Sequence, residues 1–226
     1  ASANNLKEVD VRFPLGSMNV VTGVSGSGKS SLVVDVIQRA LEKKMLDKRG
    51  EVGKHKEIKG YDRLEQLMVI DQEPIGRTPR SNPSTYTKVM DPIRDLFSKM
   101  NEARRRGFTK RRFSFNAREG RCGACEGQGY HLIEMHFLSD VWVTCDQCKG
   151  QRYNRETLAV TFRGHSIADV LHLEITKAVE LFESQPRILR ILQTLDEVGL
   201  GYMKLGQPGN TLSGGEAQRL KLAAEL

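Results

Sequence analysis

The sequence contains no apolar run approaching the ~18 residues that a membrane-spanning helix requires, and its mean hydropathy is −0.44. A helical membrane protein is therefore excluded as the reading. No basic segment followed by an apolar core opens the chain, so no export signal is read there. Aromatic residues are sparse at 6 %, with one tryptophan, and no repeat of solenoid length occurs. Cysteine is equally scarce: 4 residues, all between positions 122 and 148. Without export, disulfides are a poor explanation for them. The expectation is a soluble, intracellular protein whose 226 residues suffice for one large core or two modest ones.

Positive charge is in excess, with a net +7 and a pI near 9.3. Much of it is local. Arg104, Arg105, Arg106, Lys110, Arg111, Arg112, Arg118 and Arg121 face only Glu102 and Glu119 in the stretch 101–121. A local basic patch is a better nucleic-acid signal than a diffuse one. Phe113, Phe115 and Tyr130 stand beside it as aromatics available to stack on bases. The competing reading is a solvated helix end with phenylalanines that belong to the core.

The sharpest motif is Gly23-x-x-x-x-Gly28-Lys29-Ser30, a Walker A match. The β-prone run 19–22 precedes it, and Leu32, Val33, Val36, Ile37 and Leu41 follow at helical spacing. Glycines 23, 26 and 28 let backbone N–H groups turn toward phosphate oxygens. Ser25, Ser27 and Ser31 complete the candidate ATP-binding loop. Lys29 would set a positive charge at the β/γ-phosphates, and Ser30 would offer its hydroxyl to Mg²⁺. A flexible Gly/Ser turn is the alternative, and it leaves the Lys-Ser pair and the following helix unexplained.

Four apolar residues at 67–70 run into Asp71, the pattern of a Walker B strand, and Gln72 follows. The far end of the chain decides between these readings. Leu212-Ser213-Gly214-Gly215-Glu216 matches the signature of ATP-binding-cassette ATPases. Ser213 and two glycines open a helix there, so hydroxyl, amides and dipole point at an anion. As local structure alone, the same residues read as an N-cap with Glu216 at N3. In cassette ATPases the order is Walker A, Gln loop, signature, Walker B. Gln72 is then the catalytic Gln-loop residue and Asp71 is not the metal aspartate. The Walker B aspartate and catalytic glutamate are expected beyond Leu226, so little hydrolysis is expected from this chain alone.

Walker A and signature are too far apart for a compact cassette, and the excess reads as an insertion. A helix is expected from Asp91 as N-cap and Pro92 at N1, with Ile93, Leu96, Phe97 and Met100 on one face. A second helical group spans 166–198, with Pro186 at a helix start and Gly199 as a stop. Between them lies Cys122-x2-Cys125-x19-Cys145-x2-Cys148, the spacing of a four-cysteine zinc site. Ile133, Met135 and Phe137 alternate on one face, and Val141 and Val143 follow a turn at Ser139 and Asp140. Zinc would staple the base of that hairpin, with His131 and His136 as strand residues and not ligands. A redox CxxC would need one pair only. The fold class expected is α/β: a partial P-loop cassette core at 1–86, a mainly helical inserted signature domain at 87–205 with a zinc module at 113–156, and the signature motif and helix at 206–226.

GVSGSGKS, IDQEPIGRTPRSNPSTYT, RFSFN, RCGACEGQG, EMHFLSD, CDQCKGQRYNRETL and LSGGEAQRLKLAAEL occur in this order along nearly the whole chain. Together they resemble the C-terminal cassette half of the UvrA family, the damage-recognising ATPases of bacterial nucleotide-excision repair. The resemblance is weakest at 42–64. It implies ATP and Mg²⁺ on Lys29 and Ser30, Gln72 in the Gln loop, and residues 213–216 as the signature. It also implies a zinc module in a domain that lies on double-stranded, damaged DNA, a dimer of cassettes or of whole copies, and hand-over to UvrB in the bacterial cytoplasm. The family's UvrB-docking region lies in its N-terminal half, so this chain is not expected to bind UvrB directly. A transporter ATPase would share the cassette motifs but has no use for the cysteines or the basic patch. A zinc scaffold like that of the DnaJ chaperones, which Cys122 to Gly129 resembles, leaves Walker A and signature idle.

Overall fold

Residues 31–46 are helical for the reason the sequence suggests: Val36, Ala40 and Leu41 fall on one side and are buried. The computed structural model describes every residue except 77, 136 and 138–140, and it divides into two units, Ala1–Val69 and Ile70–Leu226. In the first unit a π-helical stretch, Ser31–Gln38, continues into α1, Arg39–Leu46, which ends at Asp47 in the left-handed conformation. Ala3 joins the buried side chains of that helix. Residues 19–22 and 67–70 run through without joining a strand ladder among the described residues. A β-prone segment becomes a strand only when a neighbour takes up its N–H and C=O groups. Met18, Val20, Val21, Val24, Met68 and Val69 are accordingly exposed.

The second unit is mainly helical. α2 (Pro83–Tyr86) is fixed by a reciprocal cap: the Asn82 side-chain Oδ1 accepts from the Thr85 N–H, and the Thr85 hydroxyl oxygen accepts from the Asn82 N–H. The same stretch ties the far end of the unit, with Ser84 N–H donating to Leu205 O at 3.0 Å and Gly209 N–H to Ser81 O at 2.7 Å. α3, Met90–Ser98, begins slightly earlier than the sequence suggests. Val89 is its N-cap, and Asp91 is inside, paired with Arg94. Its expected face holds: Ile93 and Phe97 are buried, with Leu96 and Met100 packed alongside. Each fully buried side chain of this kind contributes roughly 1.5–3 kcal/mol. α4 (Asn101–Arg105) leads into the basic stretch.

β1 (Tyr130–Ile133) and β2 (Val141–Thr144) form the expected antiparallel hairpin, with Ile133 opposite Val141 and His131 opposite Val143. Met135 and Phe137 lie beyond β1, while Leu132 and Trp142 form an unforeseen second face. The turn at Ser139 and Asp140, and His136, lie outside the described residues. After α5 (Arg155–Leu158), β3 (Thr161–Phe162) pairs with β4 (His165–Ser166). The second helical group resolves into α6 (Ile167–His172), α7 (Ile175–Leu181) and α8 (Pro186–Leu195). Pro186 takes the first helical position, and Gly199, with φ +77°, interrupts the helical run that continues from α8, as its sequence position suggests. Ile188, Leu192 and Leu195 meet Phe182, Leu200 and Leu220 in the core. α9, Gly214–Glu225, closes the chain and buries Ala217, Leu220 and Ala223. No helix of the described residues is long and apolar enough to cross a membrane.

Candidate functional site

In the first unit the glycine loop leads into the helix through Lys29 and Ser30, and a cleft of about 480 Å³ opens over it. Ser25, Gly26, Gly28, Lys29, Ser30 and Ser31 line the cleft, together with Asn4 and Asn5. The Lys29 ammonium donates to the carbonyls of Gly23 (2.8 Å) and Val24 (2.7 Å), with the Ser27 hydroxyl oxygen at 3.5 Å. All eight loop residues expected from the motif are therefore gathered at one helix start. Gly28 has φ +94°, so its backbone conformation favours glycine, while an added Cβ would stand 2.9 Å from Leu6 Cδ2, a side-chain end that can move aside. Asn4 and Asn5 were not legible as site residues. Asn5 Nδ2 donates to Gly26 O at 2.6 Å, and Asn4 Nδ2 donates to Ser31 Oγ at 3.0 Å and Asp35 Oδ2 at 3.1 Å. No carboxylate lines this cleft among the described residues. Amide groups, a lysine and hydroxyls around such a space form a donor set suited to a phosphate chain and its cation.

In the second unit Ser213 caps α9 in a reciprocal box. Glu216 N–H donates to Ser213 Oγ (3.3 Å), while Glu216 Oε2 accepts from the Ser213 N–H (2.8 Å) and hydroxyl (2.9 Å). Tyr202 donates its hydroxyl to Glu216 Oε1 at 2.7 Å. The Ser213 N–H, and then the Tyr202 hydroxyl, hold the Glu216 carboxyl below its ordinary value. Gln72 lies against this helix start: a Cβ on Gly214 would be 3.4 Å from Gln72 Cβ. Gly215 faces open space. Asp71 is engaged by Lys221, whose ammonium holds its carboxyl below the usual range. Gln72 and the helix start at Ser213 and Gly214 are thus neighbours, and the sequence alone did not indicate that contact.

Cys122, Cys125, Cys145 and Cys148 are all buried, and their sulfurs lie within 4.8 Å of one another. Cys125 and Cys148 are 3.6 Å apart, near the ~3.8 Å edge of a tetrahedron with metal–sulfur bonds of about 2.3 Å. Gly129 N–H donates to Cys125 Sγ at 3.2 Å. Burial pushes the Cys145 thiol up, but the N–H groups of Cys148 and Gln147, with His131, bring it down to about 6. Burial, with the neighbouring Cys125 and Cys145 sulfurs, pushes Cys148 up to about 12. Four converging sulfurs cannot all carry charge without a cation among them, so the donor set fits a metal ion. His131 lies in β1 and is not part of the sulfur cluster.

The basic patch needs one correction. Phe113 and Phe115 are buried, packed against Phe97 and Tyr153, and cannot stack on a base. Their apolar neighbours from α3 and the segment around Tyr153 close over them, which composition could not show. Five of the eight cations are engaged as well, four of them Arg106 with Glu102, Arg111 with Glu119, Arg112 with Glu156, and Arg121 with Glu126. Lys110 is 4.0 Å from Asp91. Arg104, Arg105 and Arg118 are exposed, and no carboxylate pairs with them among the described residues.

The family model described as ABC transporter matches residues 6–226, and the chain belongs to that family. Within it, the curated relatives found at high identity carry one name. The chain is 60 % identical over its whole length to UvrABC system protein A of Bacillus subtilis, and 59 % identical to that of Staphylococcus epidermidis, covering 24 % of each relative. It is therefore similar to about a quarter of those proteins. The crystal structure of UvrA2 from Deinococcus radiodurans matches all of this chain and 27 % of its own, at a TM-score of 0.92 and 50 % identity. The fold is thus the mixed α/β fold of that structure, although residues 19–22 and 67–70 form no ladder among the described residues.

Proposed function

We propose that this chain is an ATP-binding part of a DNA-damage recognition ATPase in nucleotide-excision repair. The observation that carries the reading is the loop cleft at Lys29 and Ser30, in a chain that matches UvrABC system protein A along its whole length. ATP would be held by the amides at 23–29, with Lys29 at the β/γ-phosphates and Ser30 toward Mg²⁺, which would neutralise charge on the phosphates. Asn5 ties down the loop at Gly26 by donating to its carbonyl oxygen. Ser213 and the amides of Gly214 and Gly215 would serve the triphosphate of a facing cassette, in a second half or a second copy, with Gln72 beside them. Zinc on the four cysteines would hold the hairpin base rigid, since β1 and β2 have no core of their own. Double-stranded DNA would lie on the exposed arginines 104, 105 and 118, preferentially where it is damaged.

Titration with a fluorescent ATP analogue tests the first part: Lys29→Ala abolishes binding while zinc content stays at one ion per chain. Retained affinity refutes the loop assignment. Binding of a lesion-bearing duplex should exceed that of an intact one and weaken as salt rises. Absence of DNA binding, or binding indifferent to salt, removes the repair reading and leaves an ATP-binding cassette alone.

A further inference from the structure

A cavity of about 350 Å³ lies within the second unit, and no residue of the glycine loop or of the cysteine cluster lines it. The hairpin base and the stretch after Cys148 contribute Tyr130, Gln151 and Arg152; the end of α6 and the segment leading to Ser213 contribute His172, Tyr202 and Lys204. Its size suits a small ligand. Charge there has one sign. No carboxylate lines the cavity among the described residues. Lys204 is exposed, and no carboxylate pairs with it among the described residues. Arg152 is only 4 % exposed, and its guanidinium donates to two neutral oxygens, Pro79 O at 2.8 Å and Gly206 O at 3.4 Å. Gly206 lines the same cavity. A buried cation that meets only neutral oxygens is left without a counter-charge, so an anion in the cavity is favoured. His172 donates from Nδ1 to Ala168 O at 2.7 Å, which leaves Nε2 as a further polar atom.

The cavity also carries aromatic surface. Tyr202 is 58 % exposed and yet fixed: its hydroxyl donates to Glu216 Oε1 at 2.7 Å and accepts from Arg219 Nη2 at 3.4 Å. A ring held by its hydroxyl loses little freedom when a flat group lies on it. Tyr130, half-buried at the start of β1, adds a second ring, and the Gln151 amide offers both a donor and an acceptor. We infer that this cavity binds a single nucleotide unit, with its phosphate toward Lys204 and Arg152 and its base against the tyrosine rings. Two sources share that chemistry: an unstacked nucleotide of DNA, or a free nucleoside monophosphate. A base still stacked in a duplex offers no face to a ring and has to leave the stack to enter. Only the first source rests on the DNA reading above. Through Tyr202 an occupant would also touch the partner of Glu216 in the Ser213 box.

Photo-cross-linking locates the occupant. Three probes are irradiated with the full chain and the attached residues are read by mass spectrometry: free 5-iododeoxyuridine monophosphate, a duplex carrying one unpaired 5-iododeoxyuridine, and the same duplex fully paired. Attachment at Tyr130 or Tyr202 is expected from at least one of the first two probes, and which of them attaches identifies the source. No attachment at either tyrosine from both probes overturns the site, as does an equal yield from the fully paired duplex. Attachment should persist in Lys29→Ala; its loss there would assign the nucleotide to the glycine loop and overturn the site. Lys204→Gln, an exposed substitution that does not threaten folding, should lower the yield about tenfold at a probe concentration below saturation. An unchanged yield overturns the phosphate assignment. A gel-shift control separates the two readings. A chain that retains no duplex but attaches the free monophosphate at a tyrosine keeps this site and loses the DNA reading. One that retains duplex but attaches every probe elsewhere loses this site alone.

Discussion

Gly127→Ala is the most discriminating single perturbation of the cysteine cluster. Gly127 follows Cys125 by two positions, has φ +82°, and its N–H supports the Cys125 sulfur. A Cβ there would be 1.8 Å from the carbonyl oxygen of Phe115 and 3.2 Å from Arg121 Cβ. An unstrained carbon–oxygen contact needs about 3.3 Å, so one backbone segment must retreat by roughly 1.5 Å. Phe115 cannot move freely, because its ring is buried edge-on against Tyr153. Overpacking of this kind costs about 1–3 kcal/mol, and a left-handed alanine adds about 1–2 kcal/mol. The sum, roughly 2–5 kcal/mol, corresponds to a fall in zinc affinity of about 30- to 5000-fold if all of it falls on the metal-bound fold. Gly123 is the internal control. It lies in the same knuckle, has no atom within 4 Å of an added Cβ, and does not adopt a positive φ. Chelator competition on Gly123→Ala should therefore give an affinity within about threefold of the unsubstituted chain. If Gly127→Ala binds equally well, or if both variants lose affinity alike, the reasoning from close approach is wrong.

Stability should also depend on pH through Glu216. Its folded-state carboxyl is held below the ordinary 4.5, so its contribution is present above that value and is lost as pH falls through the folded value. Thermal melts should show a fall in melting temperature below about pH 4.5 that is reduced in Glu216→Gln. An unchanged pH profile in that variant would remove the carboxylate from the account of the signature cap. Replacing Arg104, Arg105 and Arg118 together by glutamine should lower the salt dependence of duplex binding by about 0.9 in log–log slope for each phosphate that is no longer neutralised. An unchanged slope would place the DNA elsewhere.

Much of the candidate site was legible because it is local. The glycine loop at 23–30, the Ser213–Glu216 box and the cysteine pairs depend on residues a few positions apart, where glycine conformation, capping and thiol spacing act directly. The hairpin and the helical faces of α3 and α8 were legible for the same reason, since period 2 and period 3.6 are written into the sequence. The expected strands at 19–22 and 67–70 were not settled this way, because a ladder requires a neighbour that no local pattern supplies. Burial was the other thing that only tertiary structure decided. Phe113 and Phe115, adjacent to the arginines in sequence, are packed under α3 and beside Tyr153. Asn4 and Asn5 reach the phosphate loop from more than twenty residues away, and Gln72 meets Gly214 across more than a hundred. Arg152 shows the division most clearly: its type was visible, but its burial, with its guanidinium on Pro79 O and Gly206 O, depends on chain segments brought together by folding.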